Sequence, residues 1–139
     1  MKLHQETLDI ATPGRGLVDV TSAVECVVAA SEVKTGICTV FIQHTSASLV
    51  IQENAAPSVR RDLDRWIGRI APEDARAYEH DDEGIDDMPA HLRSAITRTS
   101  EVIPVTNGKL ALGTWQAIYV WEHRRAPYAR GLVVHVQGV

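Results

Sequence analysis

Apolar residues recur along this chain with a period that changes several times, and each change marks an element. Lys2 to Ala11 alternates weakly, with Leu8 and Ile10 on one face, and stops at the turn signal Thr12-Pro13-Gly14; an opening strand at a sheet edge is predicted. After the apolar pair Val18 and Val20, Ser22-Ala-Val-Glu25 has the form of a capping box. Val24, Val27, Val28 and Ser31 follow at helical spacing, and Gly36 is placed to stop that helix. From Ile37 to Glu53 both alternating faces are apolar or β-branched: Ile37, Thr39 and Phe41 on one, Cys38, Val40 and Ile42 on the other. That pattern predicts interior strands covered on both sides.

Pro57 opens the next predicted helix, where Val59, Leu63, Trp66, Ile67 and Ile70 form one apolar stripe, read as core, and Arg60, Arg61, Asp64 and Arg65 line the other side. Pro89, at a first helical position, predicts a short helix through Arg98 with His91 in its first turn. Val102 to Val105 and Leu110 to Leu112 flank Asn107-Gly108, a strong hairpin signal, and Trp115 to Arg124 and Gly131 to Gln137 supply two more strands. This order contains no regular βαβ repeat. The predicted fold class is α+β, a mixed, mostly antiparallel sheet packed with about three helices.

Composition narrows the partners. A chain of 139 residues, 45% hydrophobic and 23% charged, suits one domain over residues 1–139 with an ordinary core. Net charge is −4 and the basic residues are spread from Lys2 to Arg130, which leaves no electrostatic footprint of a nucleic-acid binder. MKLHQETLDI reaches Glu6 and Asp9 too soon for an apolar signal region, and the charge-free run Gly36 to Gln52 is broken by Thr, Gln, His and Ser. A cytoplasmic protein with no membrane contact is expected. Cys26 and Cys38 show neither CxxC spacing nor a secreted framework, so both are expected to be buried free thiols.

The candidate chemistry centres on HDDEGIDDMPAH, His80 to His91, where Asp81, Asp82, Glu83, Asp86 and Asp87 crowd between two histidines. Like charges at this density need a cation, hydrogen-bond donors or open water to offset them. Two readings follow, a solvated acidic loop or a metal site in which imidazoles ligate and carboxylates ligate or orient them. His44 begins HTSAS, where Thr45, Ser46 and Ser48 are small enough for a ligand to approach the backbone. In GTWQ, Gly113 and Thr114 precede Trp115, a stacking face, and Gln116, which offers both a donor and an acceptor; a packed aromatic strand explains the same residues.

HTSAS with the following ENAAP, the HDDEGIDDMPAH loop, and IPVTNGKLALGTWQAIYVWEHR from Ile103 to Arg124 together resemble the YjbQ-like family, known as secondary thiamine-phosphate synthases. The likeness covers nearly the whole chain. It implies an α+β subunit whose sheet forms a half-barrel-like sandwich, assembled as a homotrimer, with a histidine-lined, metal-binding site. Carried over residue by residue, the implied ligands are His44, His80 and His91, with zinc the preferred ion. Ala56 stands where many relatives have an acid, and Ala117 where many have Gly.

The activity implied is the joining of hydroxymethylpyrimidine diphosphate to thiazole phosphate with loss of diphosphate. In that reading Asp86 and Asp87 hold Mg²⁺ or stabilise a developing cation, Trp115 stacks on the pyrimidine, and Lys109 or Arg93 meets phosphate. No Gly-rich phosphate cradle is present in the sequence. Two alternatives use the same ligands: metal-assisted hydrolysis of a small phosphorylated substrate, with Glu53 or Asp87 handling the proton, and a non-catalytic trimer that binds a metal and a small anion.

Overall fold

The computed structural model describes all residues 1–139. Its strands are β1 (Lys2–Thr12), β2 (Gly16–Asp19), β3 (Thr35–Ile42), β4 (Ala47–Glu53), β5 (Ser100–Thr106), β6 (Lys109–Leu110), β7 (Gln116–Glu122) and β8 (Tyr128–Gly138). The helices are α1 (Thr21–Ser31), α2 (Pro57–Ile70) and α3 (Asp87–Ile96). The fold is α+β. A five-stranded sheet in the order β1-β8-β3-β5-β6 curves into a half-barrel, and a second sheet, β2-β7-β4, packs with it. Every strand pair is antiparallel, so the sheet is more regular than the mixed arrangement expected.

One core joins the two sheets. Val24, Val27 and Val28 of α1 pack with Cys38, Val40 and Ile42 of β3, Leu49 of β4, Ile118 and Val120 of β7, and Val134 of β8. The period-2 alternation of β3 and β8 is thus a one-sided burial pattern. Ile37 and Phe41 face outward with Val102, so β3 is not covered on both sides as its composition suggested. The strand buried on both faces is β7, whose Ile118 and Val120 enter the core. On its other face Tyr119 meets Arg60, and Trp121 Nε1 donates to Asp64, both on α2.

Local signals held where the chain alone fixes the geometry. Asn107 and Gly108 both have positive φ, as a two-residue turn between Thr106 and Lys109 requires. Pro57 is the first residue of α2. Other signals were displaced by tertiary contacts. No side-chain cap closes α1; Thr21 Oγ1 instead accepts from Ile118 N–H across the core. That helix ends at Ser31 with Glu32 left-handed, while Gly36 lies inside β3 opposite Gly138, where a Cβ on either would run into the facing backbone. Pro89 is the third residue of α3 rather than the first, tolerated because N–H groups of a first turn have no helical partner. In the α2 stripe only Ile67 is fully buried, and Trp66 and Ile70 remain exposed. Cys38 is buried as expected, but Cys26 is exposed; both thiols are free.

No helix is long and apolar enough to cross a membrane.

Candidate metal-binding site

The acidic loop divides into two environments. Asp81, Asp82 and Glu83 are exposed to water, which answers most of their mutual repulsion, while Asp86 and Asp87 are buried at the start of α3. Arg124, just beyond β7, neutralises the buried pair. Its Nε donates to Asp86 Oδ2 at 3.0 Å, its Nη1 to Asp87 Oδ1 at 2.8 Å, and its Nη2 to the Glu83 carbonyl at 2.9 Å. Burial pushes the Asp86 carboxyl up, but hydrogen bonds from the Arg125 N–H and from Arg124 outweigh it and leave the group below its ordinary value.

With Asp87 Oδ1 held by Arg124, Oδ2 is left to face two imidazoles. His80 Nε2 lies 2.8 Å from it and His91 Nε2 3.2 Å. Asp87 and His91 are four residues apart on α3, so one helix face carries both. His91 is fixed from behind: its Nδ1–H donates to the Thr45 carbonyl at 3.0 Å. Since a carbonyl only accepts, the neutral imidazole presents its Nε2 lone pair to the Asp87 carboxylate. Two acceptors at 3.2 Å repel unless a proton or a metal cation lies between them.

His80 approaches from the loop, its ring 5.7 Å from that of His91. The hydrogen bond to Asp87 raises its pKa, with Asp82 and Glu83 adding and partial burial opposing. The three donor atoms lie within 4.8 Å of one another. His80 borders an open depression of about 680 Å³, also lined by Tyr78, Asp82 and Met88, so one side of the cluster faces solvent. A second group, His80 with Asp82 and Glu83, is wholly exposed and lacks any buried ligand.

His44 does not join this cluster. Its Nε2 accepts the Gly131 N–H at 2.8 Å, and the Arg130 guanidinium lies 3.4 Å from Nδ1. Burial, then the charge of Arg130, lowers its pKa. A neutral imidazole whose one lone pair is occupied by a backbone donor has none for a metal, and the ligand-type atoms that converge are those of His80, Asp87 and His91. The i, i+4 spacing of Asp87 and His91 was the available signal for that grouping.

The remaining candidates are dispersed. Thr45 contributes its carbonyl to His91, Ser46 Oγ accepts from Arg130 at 3.1 Å, and buried Ser48 Oγ pairs with His123 Nε2 at 2.8 Å. Glu53 Oε2 accepts the Ala55 and Ala56 N–H groups at the start of α2, a structural use of the carboxylate placed earlier as a catalytic acid. Thr114 and Trp115 offer their carbonyls to Asn54, and Gln116 Oε1 accepts the Gly113 N–H; the indole of Trp115 is exposed. Lys109 sits in the β5–β6 hairpin by Glu25 of α1, and Arg93 points to the Ala71 carbonyl. No spacing in the sequence singles out the EHRR segment, yet Glu122 and His123 are buried with the nearby Arg130, and Arg124 holds Asp86 and Asp87.

The family described as UPF0047 protein YjbQ-like matches residues 6–139. The chain belongs to that family. A UPF0047 protein of Synechocystis is 57% identical over 135 residues, covering 97% of this chain and 92% of that protein. UPF0047 protein YjbQ of Escherichia coli O157:H7 is 40% identical, covering 97% and 98%. Among solved structures, a YbjQ-like protein of unknown function from Sulfolobus solfataricus superposes with a TM-score of 0.86 at 29% identity, covering 99% of both chains. An uncharacterised UPF0047 protein of Clostridium acetobutylicum gives 0.84 at 32% identity, covering 96% of this chain and 98% of that one.

These relatives overturn the expected activity. They bear the names of uncharacterised proteins, one of them of unknown function, and none is named a thiamine-phosphate synthase. The geometry agrees with that correction: Lys109, Trp115 and Arg93 do not converge with Asp86 and Asp87 on one pocket.

Proposed function

We infer that this YjbQ-like protein is a divalent-metal protein whose centre is His80, Asp87 and His91. The observation that carries the reading is the pair of imidazoles meeting one buried carboxylate oxygen, with His80 Nε2 2.8 Å and His91 Nε2 3.2 Å from Asp87 Oδ2. Two nitrogens and one oxygen suit zinc better than Mg²⁺, which prefers an all-oxygen shell and keeps its waters. The protein supplies three ligands and an open side, as in catalytic zinc sites, whereas structural sites close their shell with four. When bound, such an ion supplies Lewis acidity towards a water or small ligand at the open position. The chain supplies the rest: Arg124 holds Asp87 and Thr45 orients His91.

Two further features belong to this reading. The outward apolar face of the larger sheet, with Ile37, Phe41 and Val102, gives the chain a surface to bury in the homotrimer that the resemblance implies. Two unpaired thiols suit a reducing, cytoplasmic compartment.

Elemental mass spectrometry of protein purified without chelator or nickel column tests the metal centre. One ion per chain is expected, lost in His80→Ala and His91→Ala and kept in His44→Ala. Wild-type protein that carries no metal and takes up none from added zinc overturns the reading.

A further inference from the structure

Arg93 is a buried cation with no carboxylate in direct contact; Asp64 and Asp86 act on it only from a distance. Only 3% of the residue is exposed, yet its Nε and Nη2 share a single acceptor, the Ala71 carbonyl, at 3.3 and 3.0 Å, and no carboxylate comes within 4.0 Å. A guanidinium with one protein acceptor and no carboxylate in contact has donors left over for water or an anion in the cleft it lines. The other buried arginine, Arg130, meets Glu122 at 2.5 Å, which shows the ordinary solution in this fold.

The surroundings of Arg93 are built for such an anion. It lines a cleft of about 320 Å³ with Arg15, Arg65 and Gly68, and the cleft holds no apolar side chain larger than Pro72. Gly68 borders the guanidinium, its Cβ position 3.8 Å from Arg93 Nη2, an ordinary contact distance. A neighbouring depression of about 380 Å³ shares Arg15, Asp64 and Arg65 and adds Arg60 and Arg61. Together the two present five guanidiniums against two carboxylates.

Both carboxylates already accept hydrogen bonds, Glu73 from arginines and Asp64 from a neutral donor that leaves its charge in place. Glu73 accepts from Arg15 at 2.5 Å and from Arg125 at 3.2 Å, and Asp64 accepts from the Trp121 indole at 3.2 Å. Arg65 has only a loose, exposed contact with Asp62 at 3.8 Å, a pair of little worth. In a chain of net charge −4 this is a concentrated cationic hollow, and the acidic remainder of the surface disfavours an extended polyanion.

We propose that the cleft between α2 and Arg93 of α3 is a binding site for the phosphate group of a small molecule. Guanidinium forks match phosphate oxygens in pairs, and a wall without apolar side chains fits the anionic end of a ligand rather than its body. The site is separate from the metal cluster. Arg93 lies two residues beyond His91, about 200° further round the helix, and points to the end of α2.

Isothermal titration calorimetry of the full chain, stripped of metal with EDTA, with inorganic phosphate as the probe, tests this site. Saturable binding of one phosphate per chain is expected. Arg65→Gln and Arg93→Lys should each weaken it by about tenfold or more, the loss of one charge-assisted contact. Arg98→Gln, an exposed arginine outside the cleft, should leave it unchanged, and so should His91→Ala, which separates this site from the metal centre. Absence of saturable binding in the millimolar range overturns the proposal, as does equal affinity in Arg65→Gln and wild type. Should Arg93→Lys fail to fold, the exposed Arg65→Gln decides the outcome.

Discussion

His123 is fully buried, with Nε2 paired to Ser48 Oγ at 2.8 Å, Nδ1 without a partner, and the Trp121 ring 5.4 Å away. Burial, with the charges of Arg93, Arg130 and Arg15 adding, pushes its pKa down to about 3. The folded protein therefore holds the imidazole neutral, while the unfolded chain protonates it near its ordinary value of 6.5. Its contribution to stability is complete above that pH and is lost progressively as pH falls from 6.5 towards 3. Urea denaturation across this range should show His123→Gln reducing the pH slope by up to about 1.4 kcal/mol per pH unit, the value of one proton. An unaltered slope contradicts a neutral buried His123. Nothing in the alternation of its strand distinguished this residue from His135, whose ring meets Gln5 near the surface.

Between elements, the most consequential contact is a clasp across the two sheets. Glu122 at the end of β7 accepts from Arg130 of β8 through Nε at 2.7 Å and Nη2 at 2.5 Å, and from Thr12 Oγ1 of β1 at 2.6 Å. Arg130 also stacks over the Tyr128 ring at 4.5 Å. Burial raises the Glu122 carboxyl, and these donors outweigh it, so the group stays below its ordinary value. Removing one partner strands a buried charge. Arg130→Met should cost about 3–5 kcal/mol, read from chemical denaturation, whereas Arg76→Gln on the exposed surface should change little. A loss under about 1 kcal/mol for Arg130→Met would show that the clasp does not hold the sheets together.

For the whole molecule, the half-barrel leaves one face of its sheet uncovered. Phe41 pairs laterally with Ser100 and Val133, and Val102 with Thr39, so Ile37, Phe41 and Val102 share the outer surface. Their exposures of 38%, 46% and 58% are high for residues of this size in strands. If this face is covered in a trimer, sedimentation should give about three times the 15.3 kDa chain mass, and Phe41→Glu should shift the distribution towards the monomer. A wild-type monomer at micromolar concentration contradicts trimer assembly.

The sequence by itself determined the features that depend on local geometry or on a distinctive block. The Asn107-Gly108 turn, Pro57 at the start of α2, the α+β class and the family follow from residues within a few positions of one another or from motifs read in order. It also placed His80 and His91 as partners, since they bracket one loop and helix start. Tertiary structure decided the rest. His44 is spent on Gly131 and Glu53 on the start of α2, because each found a backbone donor that no spacing discloses. Asp87 came to lie between the imidazoles only because Arg124, 37 residues away, holds its other oxygen. Arg93 meets a backbone carbonyl rather than a carboxylate where α3 folds onto the end of α2. Periodicity reports which way a side chain points; what it meets there depends on residues brought from elsewhere in the chain.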